Sequence, residues 1–122
     1  MRRSCKFIFF LSGFIFPSLV GAAQVTLAWD HNCESNLAGY KLYYQVGFSG
    51  PPYNGIGLEQ GNSPLVIPLV SLSDRNYPEI KLTGLAVGGE SYYFVVTAYN
   101  DEGDESSFSN EVSYTVIELT QR

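Results

Sequence analysis

Beyond residue 23 the apolar and polar positions of this chain alternate with period two, and no stretch there repeats at helical spacing. The clearest run is ESYYFVVTAYN, Glu90 to Asn100, where Tyr92, Phe94, Val96 and Ala98 share one face and Tyr93, Val95, Thr97 and Tyr99 the other. Such a strand lies deep in a sheet. QVTLAWD, from Gln24, alternates Val25, Leu27 and Trp29 with Thr26 and Ala28, which predicts a half-buried strand carrying the only Trp. AGYKLYYQV turns Tyr40, Leu42 and Tyr44 inward and Lys41, Tyr43 and Gln45 outward. EIKLTGL places Ile80, Leu82 and Leu85 inward, and SNEVSYTV does the same with Val112, Tyr114 and Val116. Residues 64–70, PLVIPLV, are apolar enough for a strand, but Pro68 cannot donate to a ladder and confines it to a sheet edge. Between these runs lie turn formers, most densely from Gly47 to Ser63, which contains Pro51-Pro52 and Asn54-Gly55. Their spacing predicts an all-β sandwich.

The combination is similar to a known family. A leucine, a Gly-containing turn and then Y-x-x-x-V-x-A, here Leu85, Gly88, Gly89, Tyr92, Val96 and Ala98, resembles strand F of a fibronectin type III domain. Trp29 resembles the core Trp of the family's strand B, and Tyr40 to Tyr44 its strand C. The resemblance implies an immunoglobulin-like β-sandwich over about residues 24–117, with 64–70 as strand C′ and 118–122 as a C-terminal tail. It also implies that Tyr92 is the corner tyrosine, its hydroxyl turning back to the backbone near the connection that precedes it. The turn AVGGES is one residue longer than the family's usual form and lacks its Pro-Gly pair.

Residues 1–23 read as an export leader. Arg2, Arg3 and Lys6 form a basic start, Phe7 to Val20 an apolar core, and Gly21-Ala22-Ala23 a small-residue cutting site. A retained anchor is the competing reading, against which stand the shortness of the apolar run and Pro17 within it. Cutting after Ala23 starts the mature chain at Gln24 and removes Cys5, so that Cys33 remains without an intrachain partner. An odd thiol of that kind raises a link between two chains. The mature part keeps four cations, Lys41, Arg75, Lys81 and Arg122, against all 12 acids, so its net charge is −8. That balance excludes the usual electrostatics of nucleic-acid or anionic-membrane binding. The leader and the resemblance to compact exported bacterial domains imply a bacterial protein of the periplasm, cell surface or medium, with no stable membrane insertion after cleavage.

A cut at Ala23 also leaves no residues for the family's strand A, so the fold is expected with that strand missing or truncated. The strand at Gln24 then presents an open edge that Gln24, Thr26 and Ala28 do not blunt with charge. Either a short edge is tolerated in water, or a strand from another copy or another protein completes it.

No constellation reads as catalytic. His31 is the only His, and with Cys33 it lacks both an orienting third group and a nearby oxyanion-stabilising turn. The same pair supplies too few ligands for structural zinc. Asp30, Glu34, Asp101, Glu102, Asp104 and Glu105 occupy two loops that the resemblance puts at one pole, which makes them candidate calcium ligands, against the alternative of a solvated acidic face. Calcium is the only cofactor raised. Tyr43, Tyr93 and Tyr99 face away from the core on adjacent strands, as candidate ligand contacts or as cross-strand packing. The expectation is a non-catalytic exported module that binds a protein or a glycan. The alternative is a structural subunit that self-assembles by strand addition, as a homodimer, or through Cys33.

Overall fold

Alternation along the chain becomes two antiparallel sheets in the computed structural model, which describes residues 12–17, 22–86 and 90–116. The strands are β1 (Ser12–Pro17), β2 (Ala22–Ala28), β3 (Leu37–Val46), β4 (Leu65–Pro68), β5 (Glu79–Ala86), β6 (Ser91–Asn100) and β7 (Val112–Thr115), with one 3-10 turn at Leu69–Ser71. One sheet has the order β1-β2-β5 and the other β4-β3-β6-β7. Among the described residues no helix is long and apolar enough to cross a membrane.

The inward faces meet in a single core. Val25, Leu27, Leu82 and Leu85 from the first sheet join Tyr40, Leu42, Tyr44, Phe94 and Val96 from the second. Trp29 closes one end of this layer, its ring edge-on to Tyr40 with centroids 5.3 Å apart. Each fully buried aliphatic side chain contributes roughly 1.5–3 kcal/mol by leaving water. Truncating the fully buried Leu42 to alanine would cost about 2–5 kcal/mol. β4 is an edge strand, as Pro68 requires, and it alternates buried Leu65 and Ile67 with exposed Val66 and Pro68.

Tyr44 organises the long connection from β3 to β4. Its hydroxyl donates to the Gly61 carbonyl at 2.7 Å and accepts from the Leu58 N–H at 3.3 Å, while its own carbonyl accepts from the Gly55 N–H at 2.8 Å. A Cβ at Gly55 would lie 2.5 Å from the Tyr44 ring, so the approach requires glycine. Farther on, the loop reaches the other sheet: Glu59 N–H donates to the Thr83 carbonyl at 3.1 Å and Thr83 N–H to Gln60 Oε1 at 2.9 Å. Residues 59 and 60 thereby partner part of the free edge of β5. At the β5–β6 connection the Tyr92 hydroxyl accepts from the Ala86 N–H at 2.8 Å, the bond expected of a corner tyrosine.

Two expectations are corrected in the full chain. The first strand is not missing: β1 runs antiparallel to β2 from Ser12↔Ala28 to Pro17↔Ala23, within the segment read as leader. An apolar stretch that stays attached satisfies backbone groups an open edge would leave to water. Cys33 is not an unpaired thiol but disulfide-bonded. The contrary expectation assumed that Cys5 departs with the leader, and Cys5 lies outside the described residues. So do the rest of the segment read as leader, apart from Ser12–Pro17, Ala22 and Ala23, and the residues 118–122 read as a tail.

Candidate ligand-binding face

The outer face of β3 and β6 carries Lys41, Tyr43 and Gln45 on one strand and Tyr93, Val95, Thr97 and Tyr99 on the other. Register decides which of them meet. Tyr43 stands opposite Val95, Gln45 opposite Tyr93, Lys41 opposite Thr97 and Gly39 opposite Tyr99. Tyr43 and Tyr93 are therefore diagonal neighbours, within reach of aromatic side chains. Tyr99 stands apart by Gly39, where an added Cβ would come within 2.7 Å of its hydroxyl, and Lys41 Nζ lies 5.6 Å from its ring centroid.

This face is partly roofed by two loops. Val95 and Thr97 are each 1% exposed and Gln45 is 6% exposed, although alternation assigns all of them to the solvent side. Gln45 is covered by the β3–β4 loop, to which its amide donates: 2.6 Å to the Pro52 carbonyl and 2.9 Å to Asn54 Oδ1. On the other flank the β6–β7 loop runs back along β6. Ser106 N–H donates to the Ala98 carbonyl at 2.8 Å and Ser109 N–H to the Val96 carbonyl at 2.9 Å. Both hydroxyls return the contact, accepting from the Ala98 and Val96 N–H groups at 2.9 Å.

Between these loops lies an aromatic triad. Phe108 packs edge-on against Tyr43 and Tyr53, with centroids 5.2 Å away in each case. A carboxylate holds each tyrosine. Glu105 accepts from the Tyr43 hydroxyl at 2.5 Å and from Thr97 Oγ1 at 2.7 Å, and pairs with Lys41 at 3.5 Å. Glu111 accepts from the Tyr53 hydroxyl, from Ser49 Oγ at 2.8 Å and from the Gly50 N–H at 3.0 Å.

The charges respond accordingly. Burial alone would raise the Glu105 carboxyl, but the hydrogen bonds from Tyr43 and Thr97 and the Lys41 ammonium outweigh it and hold the group below its ordinary value. Glu111 follows the same pattern, burial opposed by Tyr53, Gly50 and Ser49, with the net shift downward. Tyr43 and Tyr53 are each pushed up to about 12, by burial first and then by a hydrogen bond to a carboxylate whose charge opposes a phenolate. The ionised Glu105 and Glu111 and the neutral phenols they hold form a fixed rim around Phe108, which remains 46% exposed.

The acidic loops come together only in part. Asp101 N–H donates to the Asn36 carbonyl at 3.1 Å, joining the β6–β7 and β2–β3 loops at one pole. Asn100 Oδ1 accepts from the N–H groups of Glu102 and Asp104 at 2.9 Å, so a side chain shapes that turn. Asp30, Asp101, Glu102 and Asp104 are exposed, and Glu105 is carried onto the outer face by a bridge between Tyr99 and Glu105. Among the described residues no group of three or more His, Cys, Asp or Glu has an arrangement that could hold a metal ion. His31 Nδ1 lies 3.1 Å from the Asn32 carbonyl, a contact with its neighbour in the chain.

Sequence reasoning missed Tyr53, Phe108 and Glu111. The available signal was an apolar ring in an otherwise polar loop, SSFSNE. No protein-family model, curated protein or solved structure matches this chain.

Proposed function

We propose that this chain is an exported, non-catalytic interaction module of the fibronectin type III kind, and that the outer face of β3 and β6 takes a neutral glycan. The three-stranded and four-stranded sheets, the core Trp29 and the Tyr92 bond support the family reading. One observation carries the functional one: Phe108, nearly half exposed, is clamped between two tyrosines whose hydroxyls are fixed by carboxylates. A rigid aromatic ring offers contact area at low entropic cost. Its apolar face suits the C–H face of a sugar, and the free lone pairs of Glu105 and Glu111 suit sugar hydroxyls. The acidic balance of the chain disfavours an anionic polysaccharide.

Affinity electrophoresis through gels containing neutral polysaccharides tests this reading. The unsubstituted protein is expected to be retarded by at least one of them, and Phe108→Ala to migrate as in an empty gel while keeping its stability in urea within about 1 kcal/mol. Equal retardation of the variant, or no retardation by any neutral glycan, contradicts it. The extended protein ligand that Tyr-rich faces also suit is then the remaining occupant.

A further inference from the structure

We infer that the outer edge of β2 is a strand-accepting interface, covered by β1 in the uncut chain and by β2 of a second copy once the leader is removed. This surface lies on the other sheet from the glycan face, so the two readings stand or fall separately.

β1 follows β2 through six register pairs, which shows that a whole antiparallel strand fits along this edge. The expected cut between Ala23 and Gln24 falls inside β2, at the point where its register against β5 shifts. Everything from Gln24↔Thr83 to Ala28↔Glu79 stays on the retained side and keeps β2 bound to β5. With the Cys33 disulfide reduced, cutting would therefore remove the strand on one flank of β2 and leave the other flank intact.

The vacated edge reads Gln24-Val25-Thr26-Leu27-Ala28, with no charge and no proline. It thus lacks the devices that usually prevent pairing. β5 has its edge partly occupied by Glu59 and Gln60, and β4 has Pro68. The β2 segment is also self-complementary. A two-fold axis through Thr26 sets Val25 opposite Leu27 of the second copy and Gln24 opposite its Ala28. Residues directly opposite share a face, so buried Val25 and Leu27 of both copies extend one apolar layer. Slipping by one residue would put the apolar face of one copy beside the polar face of the other. The result is a continuous β5-β2-β2-β5 sheet.

The test expresses the full chain with its leader and purifies the exported product. Intact mass fixes its N-terminus, and light scattering in reductant over a range of concentrations fixes its assembly. The expected product begins at Gln24 and reaches twice the monomer mass. Thr26→Lys sets two ammonium groups opposite one another on the axis and should weaken the dimer roughly fivefold, as should Thr26→Glu. Mixing the two variants should restore association. Hydrogen exchange on the unsubstituted product gives the same test should either variant fail to fold, since protection of those Gln24 to Ala28 amides that point away from β5 must rise with concentration. A product that retains Ser12–Pro17, a monomer at every concentration, or a dimer indifferent to Thr26→Lys overturns the proposal. Concentration-independent protection of those amides does so as well.

Discussion

Replacing Glu105 with alanine removes the acceptor of the Tyr43 and Thr97 hydroxyls and the partner of Lys41. Hydrogen bonds to a charged acceptor contribute about 1.5–3 kcal/mol each, and Tyr43, which can turn to water, belongs at the low end. Thr97 is 1% exposed, so its hydroxyl would be left buried without that acceptor, a penalty of about 1–3 kcal/mol. The Lys41 pair, with side chains 30% and 28% exposed, adds roughly 0–0.5 kcal/mol. The expected loss is about 3 kcal/mol. Glu105→Gln keeps one carbonyl oxygen and should lose about half as much.

Urea unfolding followed by Trp29 fluorescence measures this directly. At a slope of roughly 1.5 kcal/mol/M, Glu105→Ala lowers the midpoint by about 2 M. The dependence on pH has a definite sign. The folded Glu105 carboxyl lies below its ordinary value, so on acidification the unfolded chain binds the proton first. Its contribution is present above the unfolded value of about 4.5 and is lost as pH falls through the folded one. Unfolding in acid should therefore narrow the gap between the parent protein and Glu105→Gln. A loss below about 0.5 kcal/mol for Glu105→Ala, or a gap that does not change with pH, would refute the reasoning.

Tyr44→Phe orphans the Gly61 carbonyl and the Leu58 N–H, with an expected cost of about 2–3 kcal/mol in urea unfolding and faster hydrogen exchange at Glu59. Gly55→Ala drives a methyl group into the Tyr44 ring and should lower stability by about 1–3 kcal/mol, visible as a lower midpoint. Tyr43 and Tyr53, pushed up to about 12, favour the neutral phenol in the folded state. Their contribution is complete below the unfolded value of 10.0 and is lost as pH rises through about 12. Absorbance titration should show phenols ionising late, and Glu105→Gln should bring one of them down.

Alternation was enough to place β2, β3, β5, β6 and β7, because each buries one face against the other sheet. Pro68 was enough to put β4 at an edge, since a missing N–H is a property of the residue itself. Burial on the second face was not legible. Val95 and Thr97 alternate outward, yet both are buried, and the β6–β7 loop brings Glu105 onto Thr97. Glu105 illustrates the same limit: counted among loop carboxylates it reads as a metal ligand, while its contacts are two hydroxyls and the Lys41 ammonium on two strands. β1 escaped for another reason. The apolarity that makes residues 12–17 read as a leader also suits a strand, and composition alone does not separate the two uses.

Chemical-shift mapping with short neutral oligosaccharides, using aromatic and amide signals, tests the account most directly. Shifts are expected to gather on Tyr43, Tyr53, Phe108 and Tyr93, with the core rings of Tyr40 and Phe94 unmoved. Shifts centred on the acidic pole or the β2 edge, or no shift with any oligosaccharide, would contradict it.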